Sequence, residues 1–398
     1  MVEHSVRAGE YVRQPGGYRS FLPADLPPDP PVDLSLAMVH LLSRADQAVA
    51  RLDGVALTLP NPDLFVAMYV RQEAVLSSQI EGTQSTLDDV LAFELDLKNR
   101  SLPQDVEEVV NYIRAMNHGL DRLQSLPLSL RLIREIHDEL LRAVRGSDKR
   151  PGEFRTEQNW IGEGKVPITR ATFVPPPPTE MHRALDNFEH FLHDEDSLPA
   201  LLQCGVAHAQ FETIHPFLDG NGRVGRLLIT FLLCQRGVLH RPLLYISAHL
   251  KRHRAEYYDR LMAVREQGDW EGWLQFFLRG VAETAEEATN KAHAIVRLRE
   301  AERASIQARE SGMGGMRLLD LLFRRPFVNV RLVEDQLHVS YVTASKLVDE
   351  FVDLGILNEI TGRPRNRVFR YTPYLDLFDE EAVVTQGPVQ QTAGGSLS

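Results

Sequence analysis

Residues 215–226 form a polar, glycine-containing segment, His-Pro-Phe-Leu-Asp-Gly-Asn-Gly-Arg-Val-Gly-Arg, which runs directly into an apolar stretch from Leu227 to Cys234. The apolar stretch predicts a buried helix, and the glycines before it predict a turn at its N-terminus. The first N–H groups of a helix lack partners within the helix and lie at the positive end of its dipole. We therefore expect a loop–helix junction that binds phosphate. An ordinary polar loop capping a core helix is the alternative.

Two side chains of this segment suit the proton and metal chemistry of nucleotidyl transfer. His215 is a candidate general base, because an imidazole titrates near neutral pH. Asp219 is a candidate ligand for Mg²⁺, which takes few protein carboxylates and keeps the phosphates of its substrate as further ligands. Both groups precede the predicted helix by only a few residues, so we expect them at the same site.

The remainder of the segment suits phosphate binding. Gly220, Asn221 and Gly222 can present backbone N–H groups without side-chain obstruction, and the amide of Asn221 can add a further contact. Arg223 and Arg226 can pair with the outer phosphates of ATP through their planar guanidinium groups. Catalysis at such a site would rest on positioning and charge stabilisation.

The segment resembles the signature of the Fic family, His-x-Phe-x-(Asp/Glu)-Gly-Asn-Gly-(Arg/Lys)-x-x-Arg, and every fixed position of that signature is met. The resemblance implies a protein adenylyltransferase that moves AMP from ATP onto a Tyr, Ser or Thr hydroxyl of a target protein and releases pyrophosphate. It assigns the base to His215, the Mg²⁺ ligand to Asp219, the anion hole to residues 220–222 and the outer phosphates to the two arginines. Phe217 is expected to be a structural plug.

One related branch, the Doc type, phosphorylates its target and carries Lys where this chain has Gly222. The glycine therefore favours transfer of AMP over transfer of phosphate. Transfer of another nucleotide, such as UMP, is left open. The target protein is not identified by the sequence, and modification of the chain itself is one alternative.

A second motif lies upstream, in residues 77–82, Ser-Ser-Gln-Ile-Glu-Gly. It resembles the inhibitory pattern (Ser/Thr)-x-x-x-Glu-(Gly/Asn) of Fic proteins, with Ser77, Glu81 and Gly82 in the fixed places. The resemblance implies that Glu81 pairs with Arg226. Such a pair would inhibit the enzyme, because the carboxylate competes with phosphate for the guanidinium group. Taken alone, a serine and a glutamate four residues apart on a helix are more often surface decoration. In some Fic proteins this glutamate also supports removal of AMP, which is left open here.

The pattern along the chain predicts a mainly α-helical protein with a Fic helical core, a small β-hairpin flap and a C-terminal winged helix-turn-helix domain. Residues 1–35 are rich in proline and glycine and predict an extended arm. The predicted divisions are an N-terminal helical region with the inhibitory motif at 36–100, the core at 101–300, a glycine linker near 311–315, the winged helix at 316–375 and a disordered tail at 380–398.

Two further sets of residues allow two interpretations each, and His208 allows one. Residues 159–174 match the flap that docks target segments in Fic proteins, but Trp160 and Phe173 would serve equally as core anchors. His253 and Tyr257 are candidate nucleotide contacts, with aromatic packing as the alternative. His208 is expected to be a core histidine whose hydrogen bonds are satisfied.

The predicted winged helix introduces transcriptional regulation as a second function, with the Fic core sensing nucleotide. Ser340 is the expected N-cap of its recognition helix, and Arg363, Arg365, Arg367 and Arg370 cluster around the turn after it. A protein-docking or dimerisation module is the alternative, so DNA and a homodimer both stay open as partners.

Composition and the absence of certain sequence motifs argue against several other classes of protein. A net charge of −11 argues against bulk non-specific binding to nucleic acid. The sequence shows neither a long apolar stretch nor a secretory signal, so we expect a cytoplasmic protein without a membrane partner. Cys204 and Cys234 lie in apolar segments and are expected to be free thiols. Neither His-Glu-x-x-His nor paired cysteine spacing occurs, which argues against a zinc site.

Overall fold

The computed structural model describes residues 7–58, 62–95, 102–162, 166–309, 312–362 and 365–379. These residues are mainly helical, which confirms the predicted fold class. They divide into two compact units, Met1–Thr289 and Asn290–Ser398. The predicted tail at 380–398 lies outside the described residues, as does Arg363 of the wing. Within the described ranges, none of the helices has the length and apolar character needed to span a membrane.

The first unit is built from helices and one small hairpin. Along the chain its elements are β1 (Gly9–Arg13), β2 (Arg19–Pro23), α1 (Leu36–Thr58), α2 (Pro62–Ile80), α3 (Leu87–Glu94), α4 (Val106–Leu123), α5 (Leu130–Leu140), α6 (Pro178–Leu192), α7 (Ala200–Ile214), α8 (Asn221–Gln235), α9 (Ser247–Arg252), α10 (Arg254–Gln267) and α11 (Trp270–Gln307), whose residues after Thr289 belong to the second unit.

Helices α7 and α8 form the centre of this unit. Helix α7 is buried on all sides from Leu201 to Ile214, and α8 packs beside it. Gly205 allows this close packing, since a Cβ there would lie 2.8 Å from the side chain of Leu274 on α11. The indole nitrogen of Trp273 donates to the carbonyl of Gly205 at 2.8 Å. The turn between α7 and α8 is thereby anchored on a rigid base.

The prediction of an extended arm at residues 1–35 is wrong for its central part. Strands β1 and β2 pair in antiparallel fashion, with Tyr11 opposite Phe21. The prolines and glycines that suggested an arm supply the turn, where Gly17 has φ +79°. Phe21 is 1% exposed and its N–H donates to the carbonyl of Val174. Burial of this aromatic ring is what ties the hairpin to the helical core.

The flap is also less regular than predicted. Instead of two hairpin strands in residues 159–174, the described residues hold one bridge, Ile161 opposite Phe173, and a single 3₁₀ turn at Ile168–Arg170. Phe173 is 2% exposed, which supports its interpretation as a core anchor. Trp160 is 43% exposed, and its indole nitrogen donates to the carbonyl of Val166. Local hydrogen bonds within the loop thus replace much of the strand pairing.

The second unit confirms the winged helix-turn-helix prediction. Its elements are α12 (Gly312–Arg324), β3 (Phe327–Asn329), α13 (Val330–Leu337), α14 (Tyr341–Asp353), β4 (Asn358–Glu359), β5 (Val368–Arg370) and α15 (Thr372–Leu375), with sheet order β3-β5-β4. Ser340 caps α14 as predicted, because its hydroxyl accepts from the N–H of Thr343. The glycine linker is a correction: α12 begins at Gly312, which has φ +49°, and Gly314 and Gly315 lie within the first turn of this helix, ahead of its apolar face.

Candidate active site

The predicted base lies at a sharp turn. Helix α7 ends at His215, which has φ 50° and ψ 60°, a left-handed conformation that is uncommon for a residue with a Cβ. Arg155, 1% exposed, fixes this turn: its Nε donates to the carbonyl of His215 at 3.0 Å and its Nη2 to that of Pro176 at 2.6 Å. Asn159 donates to the same His215 carbonyl at 3.3 Å. The backbone of the candidate base is therefore held from outside its own segment.

Phe217 and Asn221 hold the loop together from within. Phe217 is fully buried and stacks on the ring of His137, with centroids 3.7 Å apart and planes 5° from parallel. The side chain of Asn221 accepts from the N–H of Phe217 and donates to its carbonyl, both at 2.8 Å. Both polar atoms of this amide are thus engaged within the loop, and its contact with phosphate stays a prediction. The side chain is 2% exposed and committed to the loop, which leaves the backbone N–H for an anion.

Asp219 stands at the open side of the loop. Its side chain is 37% exposed, its Oδ1 accepts from the N–H of Gly220 at 2.6 Å, and its carbonyl oxygen lies 3.0 Å from Nε2 of His137. Mg²⁺ prefers a hard oxygen ligand in a place where it can keep several waters. A half-exposed carboxylate fixed beside the N-terminus of α8 fits that requirement.

The two predicted arginines are both buried on α8 but have different partners. Arg223, 1% exposed, donates from Nη1 to Oε2 of Glu108 at 3.3 Å, and its Nη2 lies 3.7 Å from Oδ1 of Asp219. Its Nε is buried without a hydrogen-bond partner within the described residues. A buried guanidinium with an unsatisfied donor beside a helix N-terminus is suited to an anion.

Arg226 is held by the upstream motif. Its Nε donates to the hydroxyl of Ser77 at 2.7 Å, and its Nη2 donates to the Ser77 carbonyl at 3.0 Å and to Oε1 of Glu81 at 2.7 Å. Gly222 makes room for this carboxylate: a Cβ on Gly222 would lie 2.2 Å from Glu81 Oε1. Glu81 therefore lies directly against the turn that the sequence predicts to bind phosphate. Gly82 follows with φ +96°, a conformation that glycine adopts readily and that ends α2 here.

Burial and neighbouring charges shift the pKa values of Glu81, Arg226 and His215. Although burial alone would raise the pKa of Glu81, Arg226 and then Arg223 hold it below its ordinary value, so Glu81 is a carboxylate at neutral pH. The same pair raises the pKa of Arg226. Burial, followed by the positive charges of Arg265 and Arg155, lowers the pKa of His215 to about 3. The imidazole is therefore uncharged at neutral pH.

The other predicted contacts have packing roles in this structure. Tyr257 is 1% exposed, and its hydroxyl lies 2.9 Å from Nε2 of His208, whose Nδ1 lies 3.0 Å from the carbonyl of Gly225. His208 is thus the satisfied core histidine that was predicted. The contacts of Tyr257 and His253 with a nucleotide stay predictions. His253 lies between α9 and α10 and packs its ring on that of His249.

Comparison with protein families gives a consistent result. Residues 39–121 match the model of the Fic/DOC family N-terminal region, and residues 127–233 match that of the Fic/DOC family. The chain therefore contains Fic/DOC family domains over these residues. Residues 316–369 also match an HTH DNA binding domain, in agreement with the winged helix of the second unit.

Similar proteins agree with the Fic assignment. The chain is 31% identical over 213 residues to a protein named protein adenylyltransferase Fic from Drosophila grimshawi, and equally so to the one from Drosophila virilis. These matches cover 52% of the chain but 39% of each relative, so the chain spans about two fifths of their length. The crystal structure of a Fic family protein from Desulfovibrio desulfuricans G20 shares the fold, with TM-score 0.55, 19% identity, and 86% and 98% of the two chains covered.

Several residues of the Fic site were not singled out by sequence reasoning. Arg155 lies in a loop without a recognisable pattern, and His137 and Glu108 are ordinary helix residues along the chain, so none of the three was predicted. Glu73 lies one helical turn before Ser77 and accepts hydrogen bonds at Oε1 from Tyr112 and Ser247. Burial raises its pKa to about 7. In the sequence, only the position of this charged residue within an apolar helical face could have indicated that Glu73 is buried near the site.

Proposed function

We propose that this chain is a protein adenylyltransferase that transfers AMP from ATP to a hydroxyl group of a target protein, and that Glu81 inhibits it. The observation that carries the proposal is the turn at 215–226, where a neutral imidazole, a half-exposed carboxylate and two buried arginines surround a helix N-terminus. The names of the Drosophila relatives support the activity.

The reaction requires one proton transfer and one substitution at phosphorus. In the proposed mechanism His215 accepts the proton of the target hydroxyl as its oxygen attacks the α-phosphorus of ATP. The bond between that phosphorus and the α–β bridging oxygen breaks, and pyrophosphate leaves. Backbone N–H groups at Asn221, Gly222 and Arg223 face the phosphates, and the arginine side chains balance the charge of the leaving group.

Asp219 is the residue that would hold Mg²⁺, which neutralises phosphate charge when bound. His137 supports Asp219 from behind, because its Nε2 lies 3.0 Å from the Asp219 carbonyl while its Nδ1 accepts from the N–H of Gly152 at 2.9 Å. These two contacts define one neutral tautomer, and burial lowers the pKa of His137 to about 4. We therefore propose that His137 positions the loop and takes no part in proton transfer.

In this proposal Glu81 inhibits because it competes with the outer phosphate of ATP for Arg226 and for the space beside Gly222. An Arg226 paired with Glu81 and Ser77 has fewer donors for the outer phosphate, and the Glu81 carboxylate lies against Gly222, where that phosphate would approach. The carboxylate would also repel phosphate. Release of Glu81 is therefore proposed as the step that permits productive ATP binding.

The test uses wild type, Glu81→Gly and His215→Ala, each incubated with Mg²⁺ and one nucleoside triphosphate at a time and examined by intact mass. We expect an AMP adduct that grows in Glu81→Gly and is absent in His215→Ala. A UMP adduct would instead favour the other nucleotide. Absence of every adduct from Glu81→Gly, including with a lysate of candidate targets, would contradict the proposal.

DNA binding is a second candidate function, because the second unit matches an HTH DNA binding domain. Two of the wing arginines are occupied within the unit: Arg367 pairs with Glu359 at 3.0 Å and Arg370 with Asp376 at 3.1 Å. Arg365 is therefore the sharper probe. Duplex binding measured at two salt concentrations, and reduced in Arg365→Ala, would support this function; no salt-dependent binding would exclude it for the duplexes tested.

A further inference from the structure

Two histidines and a glutamate come together away from the anion site, where α9 meets α11 within the first unit. One ligand atom from each of His249, His253 and Glu283 lies within 4.8 Å of the other two. Nδ1 of His249 is 3.0 Å from Oε2 of Glu283, and the two imidazole centroids are 4.6 Å apart. We propose that these three side chains bind a first-row transition-metal dication, with Zn²⁺ as the probe.

The fold presents one of the ligands in a fixed orientation. Gly280 leaves space for the ring of His249 directly against α11, since a Cβ there would lie 2.6 Å from the ring carbon Cδ2. Phe276, one turn earlier on α11, packs on the same ring at 4.9 Å. Glu283 follows Gly280 by three residues, so it lies on the same face of α11 and meets Nδ1 of the fixed ring.

Hydrogen bonding within the described residues satisfies only one ring nitrogen of His249, the Nδ1 that faces Glu283. The residue is 3% exposed, yet its Nε2 has no hydrogen-bond partner within the described residues. The other buried histidines of this unit differ: His137 and His208 each have partners at both ring nitrogens. A buried imidazole is usually satisfied at both nitrogens, so a packed ring whose Nδ1 faces a carboxylate and a second imidazole suits a metal ligand.

The ligand set selects the class of ion. Two imidazoles and one carboxylate suit Zn²⁺ and its first-row neighbours, whereas Mg²⁺ and Ca²⁺ favour oxygen ligands alone. Tetrahedral coordination at Zn–N distances of roughly 2.0–2.1 Å puts ligand atoms about 3.4 Å apart. The present separations reach that geometry through a small rotation of His253, which is exposed, and of Glu283, whose side chain is 39% exposed. Three protein ligands would leave one position for water.

Local charge is compatible with a cation. Arg252, adjacent to His253, donates to both carboxylate oxygens of Glu287 at 2.9 and 3.0 Å. The sequence argument against zinc considered only ligands close along the chain, and Glu283 is 34 positions from His249. The proposal also gives His253 a partner other than the nucleotide predicted from sequence.

The test uses the untagged full chain, freed of metal by a chelator and titrated with Zn²⁺ by calorimetry and with Co²⁺ by visible absorption. We expect one ion per chain, a tetrahedral Co²⁺ spectrum and a higher Tm with metal. His253→Ala and Glu283→Gln should each weaken binding by at least about 100-fold, since even the loss of a group that only supports a ligand costs about 10–100-fold. Both side chains are partly or fully exposed, so the variants should fold, which circular dichroism checks.

His240→Ala is the matched control, because His240 forms a similar pair with Asp53 at 2.7 Å but offers only one imidazole. It should bind Zn²⁺ as wild type does. The proposal would be overturned by a folded wild type that takes up no stoichiometric Zn²⁺, or by equal affinity in wild type, His253→Ala and Glu283→Gln. Equal loss in His240→Ala would show that the ion binds to surface histidines in general and would also overturn it.

Discussion

Replacing Glu81 with glycine should release Arg226 and accelerate AMP transfer, and replacing it with glutamine should do so only in part. Glu81 acts on the site in two ways in this structure: its charge pairs with Arg226 at 2.7 Å, and its Oε1 occupies the space beside Gly222. Glutamine removes the charge but keeps the volume. Glycine removes both, so the two variants separate electrostatic competition from occlusion.

The expected size follows from the contact that is lost. A hydrogen bond to a charged group contributes about 1.5–3 kcal/mol net, which corresponds to about 10- to 150-fold in the equilibrium between held and released Arg226. We therefore expect Glu81→Gly to modify itself about 10- to 150-fold faster than wild type. The contacts of Ser77 with Arg226 persist in this variant, so the guanidinium stays near the site.

The assay is the initial rate of AMP incorporation from labelled ATP at fixed Mg²⁺, with Glu81→Gly/His215→Ala as the inactive control. Glu81→Gln should fall between wild type and Glu81→Gly. The reasoning fails if Glu81→Gly is no faster than wild type. If Glu81→Gln matches Glu81→Gly, then charge alone inhibits and the contact beside Gly222 has no effect.

Three further results are expected. Burial raises the pKa of Glu73 from 4.5 to about 7. Ionisation of this buried carboxyl therefore lowers the stability of the folded protein as the pH rises through that interval. Glu73→Gln should accordingly raise Tm more at about pH 8 than at about pH 5, as measured by calorimetry. Arg155→Met should lower the free energy of unfolding, measured in urea, by at least about 3 kcal/mol, because several buried carbonyls lose a charged donor. An equal loss in Arg155→Lys would show that a positive charge without the guanidinium geometry does not stabilise the turn. Because the folded protein lowers the pKa of Glu81, its ion pair with Arg226 is complete above the ordinary value of 4.5 and is lost only as the pH falls through the lower folded value. The ratio of the Glu81→Gly rate to the wild-type rate should therefore stay constant from about pH 6 to 8. A change in that ratio would contradict the inhibitory role of the ionised Glu81.

The sequence predicted the parts of the fold that depend on local pattern. The helix after the 215–226 turn, the cap at Ser340 and the winged helix of the second unit follow from periodicity and capping chemistry, which act over a few residues. The same reasoning was wrong for residues 9–23 and for Gly312–Gly315. There, proline and glycine suggested irregular chain, but burial of Phe21 and the apolar face of α12 decided the structure.

The sequence by itself determined which chemical groups stand together at the turn, because His215, Asp219 and the two arginines lie within twelve consecutive residues. Tertiary structure decided what those groups contact. Arg155, Glu108 and Glu81 reach the site from positions 60, 115 and 145 residues away from their partners, and Glu283 reaches His249 from 34. No local pattern encodes such contacts, since they depend on how whole helices pack and on small residues such as Gly222 and Gly280 that let side chains approach.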